Sequence, residues 1–380
     1  MDIDAHRANP AVSIDQYVER CVVALGRSLD DRTAIYLDTK FWIILRDCAA
    51  GKRTDAAALE LLHQLRTLVA EGKVFCPISE SHLYEFLKQD DMNSRLETAR
   101  IVDKLSLGVA LIDERMRMGT EVARFVHSFE GDADDLHPLR HLVWSKLGYV
   151  GGFIHPSNTG FDAETELAVQ KAFFDRMWTV SFQEMFKTLG TALPPDGLDF
   201  DTSGINQGVV QNADQIKSFA QAYAAELAGA VELGADMAME VMGDLYCKKT
   251  GEQPAERGSQ AWQKFWNQWA NLLLAALKKR SQMRQQLRTM HIHASLHAAF
   301  RWDKARRFTS NDLYDFEHAS AALGHCQAFF TEHPLLATIT ARHVALDELF
   351  QCRVVSEIPD AIAALKAIEA GAGRRGVGGA

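Results

Sequence analysis

Apolar runs of strand length stand near the two ends of this 380-residue chain and are missing from its middle. Ala34-Ile-Tyr-Leu closes on Asp38 and Thr39; Val74-Phe-Cys-Pro-Ile-Ser leads into Glu80; Ala328-Phe-Phe-Thr331 leads into Glu332 and His333; and Cys352 to Ser356 is a last run. Between consecutive runs in the opening segment lie helical stripes rather than hairpin turns, the pattern of a parallel α/β sheet. Such sheets bind ligands in the crevice outside the carboxyl ends of their strands, where these acids fall. From Asn93 to about Arg288 the chain reads as helix after helix with no strand signal. A segment of that length between two parts of one sheet is too long for a loop. The expected organisation is therefore an α/β domain in two parts, residues 1–92 and 289–369. An all-helical insertion spans 93–288, and a Gly-rich tail, 370–380, is expected to be disordered.

The helices follow from apolar spacing and caps. Ser13 opens one through Leu29, Phe41 to Asp47 makes a short one, and Asp55 to Ala70 carries a leucine stripe. A helix holding Glu85 ends near Lys88. Inside the insertion the expected helices are Asn93–Gly108, Glu164–Thr188, Asp214–Val231, Ala235–Lys249 and Ala261–Met290, joined by loops that include 131–135, 151–152 and 194–197. Trp262, Phe265, Trp266, Trp269, Leu272 and Leu273 recur at three and four, which predicts a stripe facing a core. Leu335–Leu349 and Pro359–Glu369 are the closing helices.

No run of about 18 uncharged apolar residues occurs, so no membrane span is expected. The opening MDIDAHRANP lacks the apolar core of a secretory signal. The six cysteines are scattered without CxxC spacing, as free thiols in a reducing compartment would be, and a cytoplasmic location is expected. The net charge of −9 argues against a broadly basic nucleic-acid binder but leaves room for local basic strips.

Thr309 to Pro334 is the stretch around which these features gather. Ser310 or Asn311 can cap a helix, and Asp312 and Asp315 lie three apart on one face of its first turn. Alone they read as helix caps; beside Asp38 and Glu85 they read as a site. In that order and strand context the acids resemble the PIN-like nuclease family. Its pattern is an Asp ending the first strand, a Glu in the helix after the second, an Asp opening a later helix and a fourth acid after the following strand. Asp38, Glu85 and Asp315 match the first three, while Thr331-Glu332-His333 departs from the Thr-x-Asp often found at the fourth. The resemblance covers about 30–90 and 305–358, under half of the chain. It implies a PIN-like sheet and metal-dependent cleavage of nucleic acid, mostly RNA. Asp38 and Asp315 would be principal ligands to Mg²⁺ or Mn²⁺, Glu85 and Asp312 ligands or water-orienting groups, and Glu332 a substitute fourth ligand. Glu80 lies nearer its strand end and competes with Glu85, which fits the family better.

Crowded carboxylates repel one another, and hard divalent cations with oxygen ligands relieve that cost. Thr39 and Thr331 can bond a ligand or a phosphate, or serve as turn hydroxyls. His293 and His297 have the i, i+4 spacing of zinc ligands without the HExxH glutamate, so a polar helix face is the preferred reading. His318 follows Asp315 by one turn. Two basic groups, Lys278 to Arg288 and Arg301, Lys304, Arg306 and Arg307, are solvated faces or a phosphate-tracking strip. The expected function is a metal-dependent nuclease acting on RNA before DNA. The alternatives are a PIN-fold scaffold without catalysis, or a metal phosphohydrolase acting on a small phosphorylated molecule.

Overall fold

In chain order the elements are helices α1 (Ile3–Arg7) and α2 (Ile14–Ser28), strand β1 (Thr33–Leu37), α3 (Thr39–Ala49), α4 (Ala56–Ala70), β2 (Val74–Phe75), α5 (Glu80–Leu87) and α6 (Met92–Ser106). There follow β3 (Val109–Leu111), α7 (Glu114–His127), β4 (Trp144–Lys146), α8 (Ala163–Thr179), α9 (Phe182–Leu189), α10 (Ser203–Gln211) and α11 (Phe219–Thr250). The rest are α12 (Gln260–Lys279), α13 (Ser281–Gln286), α14 (Arg288–Trp302), α15 (Ser310–His325), β5 (Ala328–Phe330), α16 (His333–Ile339), α17 (Leu346–Phe350), β6 (Arg353–Val355) and α18 (Ile358–Glu369). The computed structural model describes residues 3–128, 136–190, 199–212, 214, 216–279, 281–303 and 306–371. The expected loops 131–135 and 194–197, Lys304, and nearly all of the tail lie outside these residues.

Strand side chains alternate between faces, so a strand covered on both sides is apolar throughout. In β1, Ile35 and Leu37 enter one core while Ala34 and Tyr36 enter the other. In β5, Ala328 and Phe330 face the first core and Phe329 the second. The four strands pair in parallel in the order β2-β1-β5-β6. Helices α3, α4, α6 and α18 cover one face, and α14, α15 and α16 the other. This is the α/β architecture expected, a parallel sheet between helices. Among the described residues no helix is long and apolar enough to cross a membrane.

The span 93–288 is not all-helical. It contributes β3 and β4, which pair antiparallel, and β3 joins the edge of the parallel sheet: Ala110 bridges Ile78 in parallel, and Leu111 N–H donates to the Ile78 carbonyl at 2.8 Å. A three-residue strand is too short to show a period, and its pairing with Ile78 is a contact in space. Residues of α6, β3 and α9 share the first sheet core, whereas α7, α11 and α12 build a separate helical core with Leu287, Met290 and Ala294. The two helices expected within 214–249 are one, α11, and the helix expected over 335–349 is split into α16 and α17, with Ala345 in the left-handed region between them. The aromatic stripe faces a core in part: Leu273 is buried, and Trp266 and Trp269 are half-buried against the helical core, while Trp262 is only half-buried and Phe265 and Leu272 are exposed.

Candidate functional site

The sheet changes direction at β1. The chain leaves β1 toward β2 on one side and leaves β5 toward β6 on the other, and the carboxyl ends of β1 and β5 are where a sheet of this topology places its crevice. Asp38 stands there, pinned by its backbone N–H to the Phe330 carbonyl at 2.8 Å. It is the N-cap of α3, yet its side chain does not cap; one oxygen accepts instead from the Thr331 hydroxyl at 2.8 Å. The two strand ends are thus tied by side chains as well as by the ladder. Burial raises the Asp38 pKa, Glu85 adds to the shift, and His318 and Thr331 oppose it.

Glu85 reaches this crevice from α5. One of its oxygens accepts from the Thr39 hydroxyl and from His318 Nε2, the latter at 2.8 Å. Burial would raise its pKa, but His318 and Thr39 prevail and hold it below the usual carboxylate value. His318 itself is fully buried, which opposes charging, yet Glu85, Asp38 and Asp315 together push it up to about 9. It is therefore an imidazolium at neutral pH, with both ring nitrogens donating.

Its second nitrogen, Nδ1, lies 2.7 Å from the Tyr36 hydroxyl, which is also 2.6 Å from Ser79 Oγ and 3.2 Å from His82 Nδ1. His82 Nε2 donates to the Leu37 carbonyl at 2.7 Å, so Nδ1 is the acceptor and takes the Ser79 N–H at 3.2 Å. His82 stays neutral, its pKa lowered by burial and then by His318. This buried chain of groups locks α5 and α15 against β1 and aims His318 at Glu85. Tyr36, Ser79 and His82 were not singled out from sequence. The available signals were a hydroxyl inside an otherwise apolar strand and a Ser-x-x-His start to α5.

Asp315 projects from α15 beside these groups. Burial, then the charge of Asp38, push its carboxyl up to about 8, with Glu85 and Asp312 adding to the rise. Among the described residues it has no hydrogen-bond partner. Asp38, Glu85 and Asp315 thus stand close enough for each charge to act on its neighbours. Asp312 is engaged otherwise: as the third residue of α15 it closes a capping box, accepting the Thr309 N–H at 2.8 Å and hydroxyl at 2.6 Å, with Arg306 3.5 Å away. Thr309, not Ser310 or Asn311, is the cap. Glu332 stands at the end of β5 but is exposed and enters none of these bonds.

Glu80 belongs to a neighbouring cluster. Its two oxygens accept the Glu114 N–H at 2.8 and 3.0 Å, at the start of α7, and burial pushes it up to about 8. His293 Nε2 is 2.7 Å from Glu114, and His297 packs against Phe308 and Phe316, so these histidines face different partners. Of the basic residues, Arg301 pairs with Glu226 at 2.7 Å, Arg306 lies over the Phe300 ring at 3.5 Å, and the half-buried Arg288 donates to the Gly324 carbonyl. Arg307, Lys278 and Lys279 are exposed. Lys304 lies outside the described residues.

Among the described residues no group of three or more His, Cys, Asp or Glu side chains could hold a metal ion. Mg²⁺ asks less of the protein, since it commonly binds through one or two carboxylates and keeps waters on its other positions. Asp38 and the unbonded Asp315 fit that demand as hard oxygen donors, with Glu85 held back by His318. The sequence matches no protein-family model and no curated protein, and the fold matches no solved structure.

Proposed function

We propose that the chain is a PIN-like, metal-dependent nuclease that hydrolyses phosphodiester bonds of nucleic acid, RNA before DNA. The observation that carries this reading is Asp315: a carboxyl with no hydrogen-bond partner among the described residues, set against Asp38 at the point where the sheet reverses, and pushed up to about 8 by burial and that neighbour. Such a pair favours a cation between its members. Asp38 and Asp315 would hold Mg²⁺ or Mn²⁺, which when bound lowers the pKa of an attacking water and stabilises the leaving oxygen. Thr331 orients Asp38, and the imidazolium of His318 fixes Glu85 as an ionised acceptor toward water. Thr39 bonds Glu85 and is a positioning group in this reading rather than a phosphate contact.

The alternative of a binding scaffold without catalysis is favoured by one observation: His318 already neutralises Glu85, so the cluster is partly compensated with no ion present. The test measures cleavage of fluorescent single-stranded RNA and DNA with Mg²⁺ or Mn²⁺ against chelator, alongside thermal unfolding of wild type and Asp315→Asn. The nuclease reading expects metal-dependent cleavage of RNA and a Mn²⁺-induced rise in melting temperature that the variant loses. For a ligand at a hundredfold excess over its Kd that stabilisation is about 2.7 kcal/mol. Binding without cleavage would give the scaffold; turnover of small phosphorylated molecules alone would give a phosphohydrolase. An intact Mn²⁺ response in Asp315→Asn would remove Asp315 from the metal site.

A further inference from the structure

The amino-terminal end of the sheet, opposite Asp38, carries a second feature that the acidic crevice does not use. A cavity of about 610 Å³ opens between the start of β1 and the ends of α4 and α6, lined by Arg32, Arg66 and Lys104 over a floor that includes Leu105 and Leu107. Arg66 and Lys104 are exposed and Arg32 is half-buried, its guanidinium lying close over Gly72. None of these cations is ion-paired among the described residues. Of the acids next to this rim in sequence, Asp103 accepts the Phe182 and Gln183 N–H groups at 2.7 and 3.2 Å, Glu71 pairs with Lys73 at 2.7 Å with Glu369 3.9 Å from the same ammonium, and Asp31 is exposed beside Arg32.

Lys146 adds an independent observation. Its ammonium reaches the Leu107 carbonyl at 3.4 Å, beside the cavity floor, and is half-buried with no carboxylate partner among the described residues. Burial alone lowers its pKa, with no anion to restore it. The carbonyl ends of α4 and α6 supply partial negative charge, on the order of half a unit each and confined to the last turn. The Val69 and Thr67 carbonyls of α4 are further engaged by the backbone N–H of Glu71. Cations gathered on one concavity, none ion-paired among the described residues, are an arrangement that binds phosphate oxygens, with the guanidinium groups offering paired donors.

We infer that this cavity is an anion site that takes a phosphate-bearing ligand, with Arg32, Arg66 and Lys104 as its contacts. The ligand proposed is an oligophosphate, either free or as consecutive phosphates of a nucleic-acid strand. The inference does not rest on the nuclease reading, because the cavity lies at the other end of the strands from Asp38.

The experiment titrates sodium tripolyphosphate by calorimetry and a labelled single-stranded RNA by anisotropy, both in chelator. It uses wild type, Arg66→Glu with Lys104→Glu, the milder Arg66→Gln with Lys104→Gln, and Asp315→Asn. Wild type is expected to bind tripolyphosphate with an affinity that falls as salt rises. Charge reversal should weaken it at least about tenfold and flatten the salt dependence. The Gln pair should weaken it less, and Asp315→Asn should bind as wild type does. A parallel fall in RNA affinity assigns the phosphates to a strand, and a fall for tripolyphosphate alone assigns them to a free ligand. The inference is overturned if wild type does not bind tripolyphosphate, or if the Gln pair, folded by circular dichroism, binds it as tightly as wild type.

Discussion

Glu121, on α7, shows how one buried carboxyl can govern the pH response. It is essentially unexposed and accepts the Thr289 N–H at 2.9 Å and hydroxyl at 2.8 Å. Burial pushes its pKa up to about 7, with Arg288 and Thr289 opposing. In the unfolded chain a Glu titrates near 4.3, so between about pH 4 and pH 7 the folded state holds a proton that the unfolded state has released. The contribution is therefore full at low pH and is lost as pH rises through the folded value. Wild type is expected to lose more stability than Glu121→Gln between about pH 5 and pH 8, by an amount on the order of a few kcal/mol at most. Urea midpoints across that range measure it. Parallel curves for the two proteins would show that Glu121 is ionised in the fold throughout.

At the scale of elements, close backbone approach decides which glycines can change. Gly26 sits in the last turn of α2, where an added Cβ would meet the His141 backbone, its Cα at 2.4 Å. Backbone cannot swing aside as a side chain does, so Gly26→Ala should cost about 1–3 kcal/mol or more through overpacking. Gly119, inside α7, has nothing within 4 Å of such an atom. There the same substitution should stabilise by about 0.5–1 kcal/mol, since alanine has less backbone freedom to lose in a helix. Chemical denaturation of both variants tests the pair. A stabilised Gly26→Ala would mean that α2 and the turn at His141 are not in contact.

For the whole molecule the question is whether the helical core and the sheet core unfold together. Helix α14 belongs to both. Met290 and Ala294 face the core shared with α7, α11 and α12, whereas Ile292, Leu296 and Phe300 face the sheet side with α15. Two cores sharing one buried helix are expected to be coupled. Leu273 is fully buried on α12, remote from the sheet, so Leu273→Ala should cost about 2–5 kcal/mol. That loss should lower the unfolding of both cores as one transition. Amide exchange measures it: raised exchange in α11 and α12 with unchanged protection of β1 and β5 would show two independent units.

What the amino-acid sequence determined by itself is local. Ala34 to Leu37 and Ala328 to Phe330 could be read as strands because burial on both faces demands unbroken apolar residues. Asp38 at a strand end followed from the same pattern, whereas Glu85 and Asp315, each in the second turn of its helix, were singled out by the resemblance in their order along the chain. The tertiary structure decided the partners. Nothing in the spacing of Tyr36, His82 and His318 announces that three elements bring them within hydrogen-bond distance, or that the resulting imidazolium claims Glu85. Nor does sequence show that Glu80 turns to the start of α7, that Asp312 closes a cap, or that Val109 to Leu111 lies beside Ile78. Periodicity reports which face of an element is buried; which charge meets which depends on distances between residues up to hundreds of positions apart, set only when the cores pack.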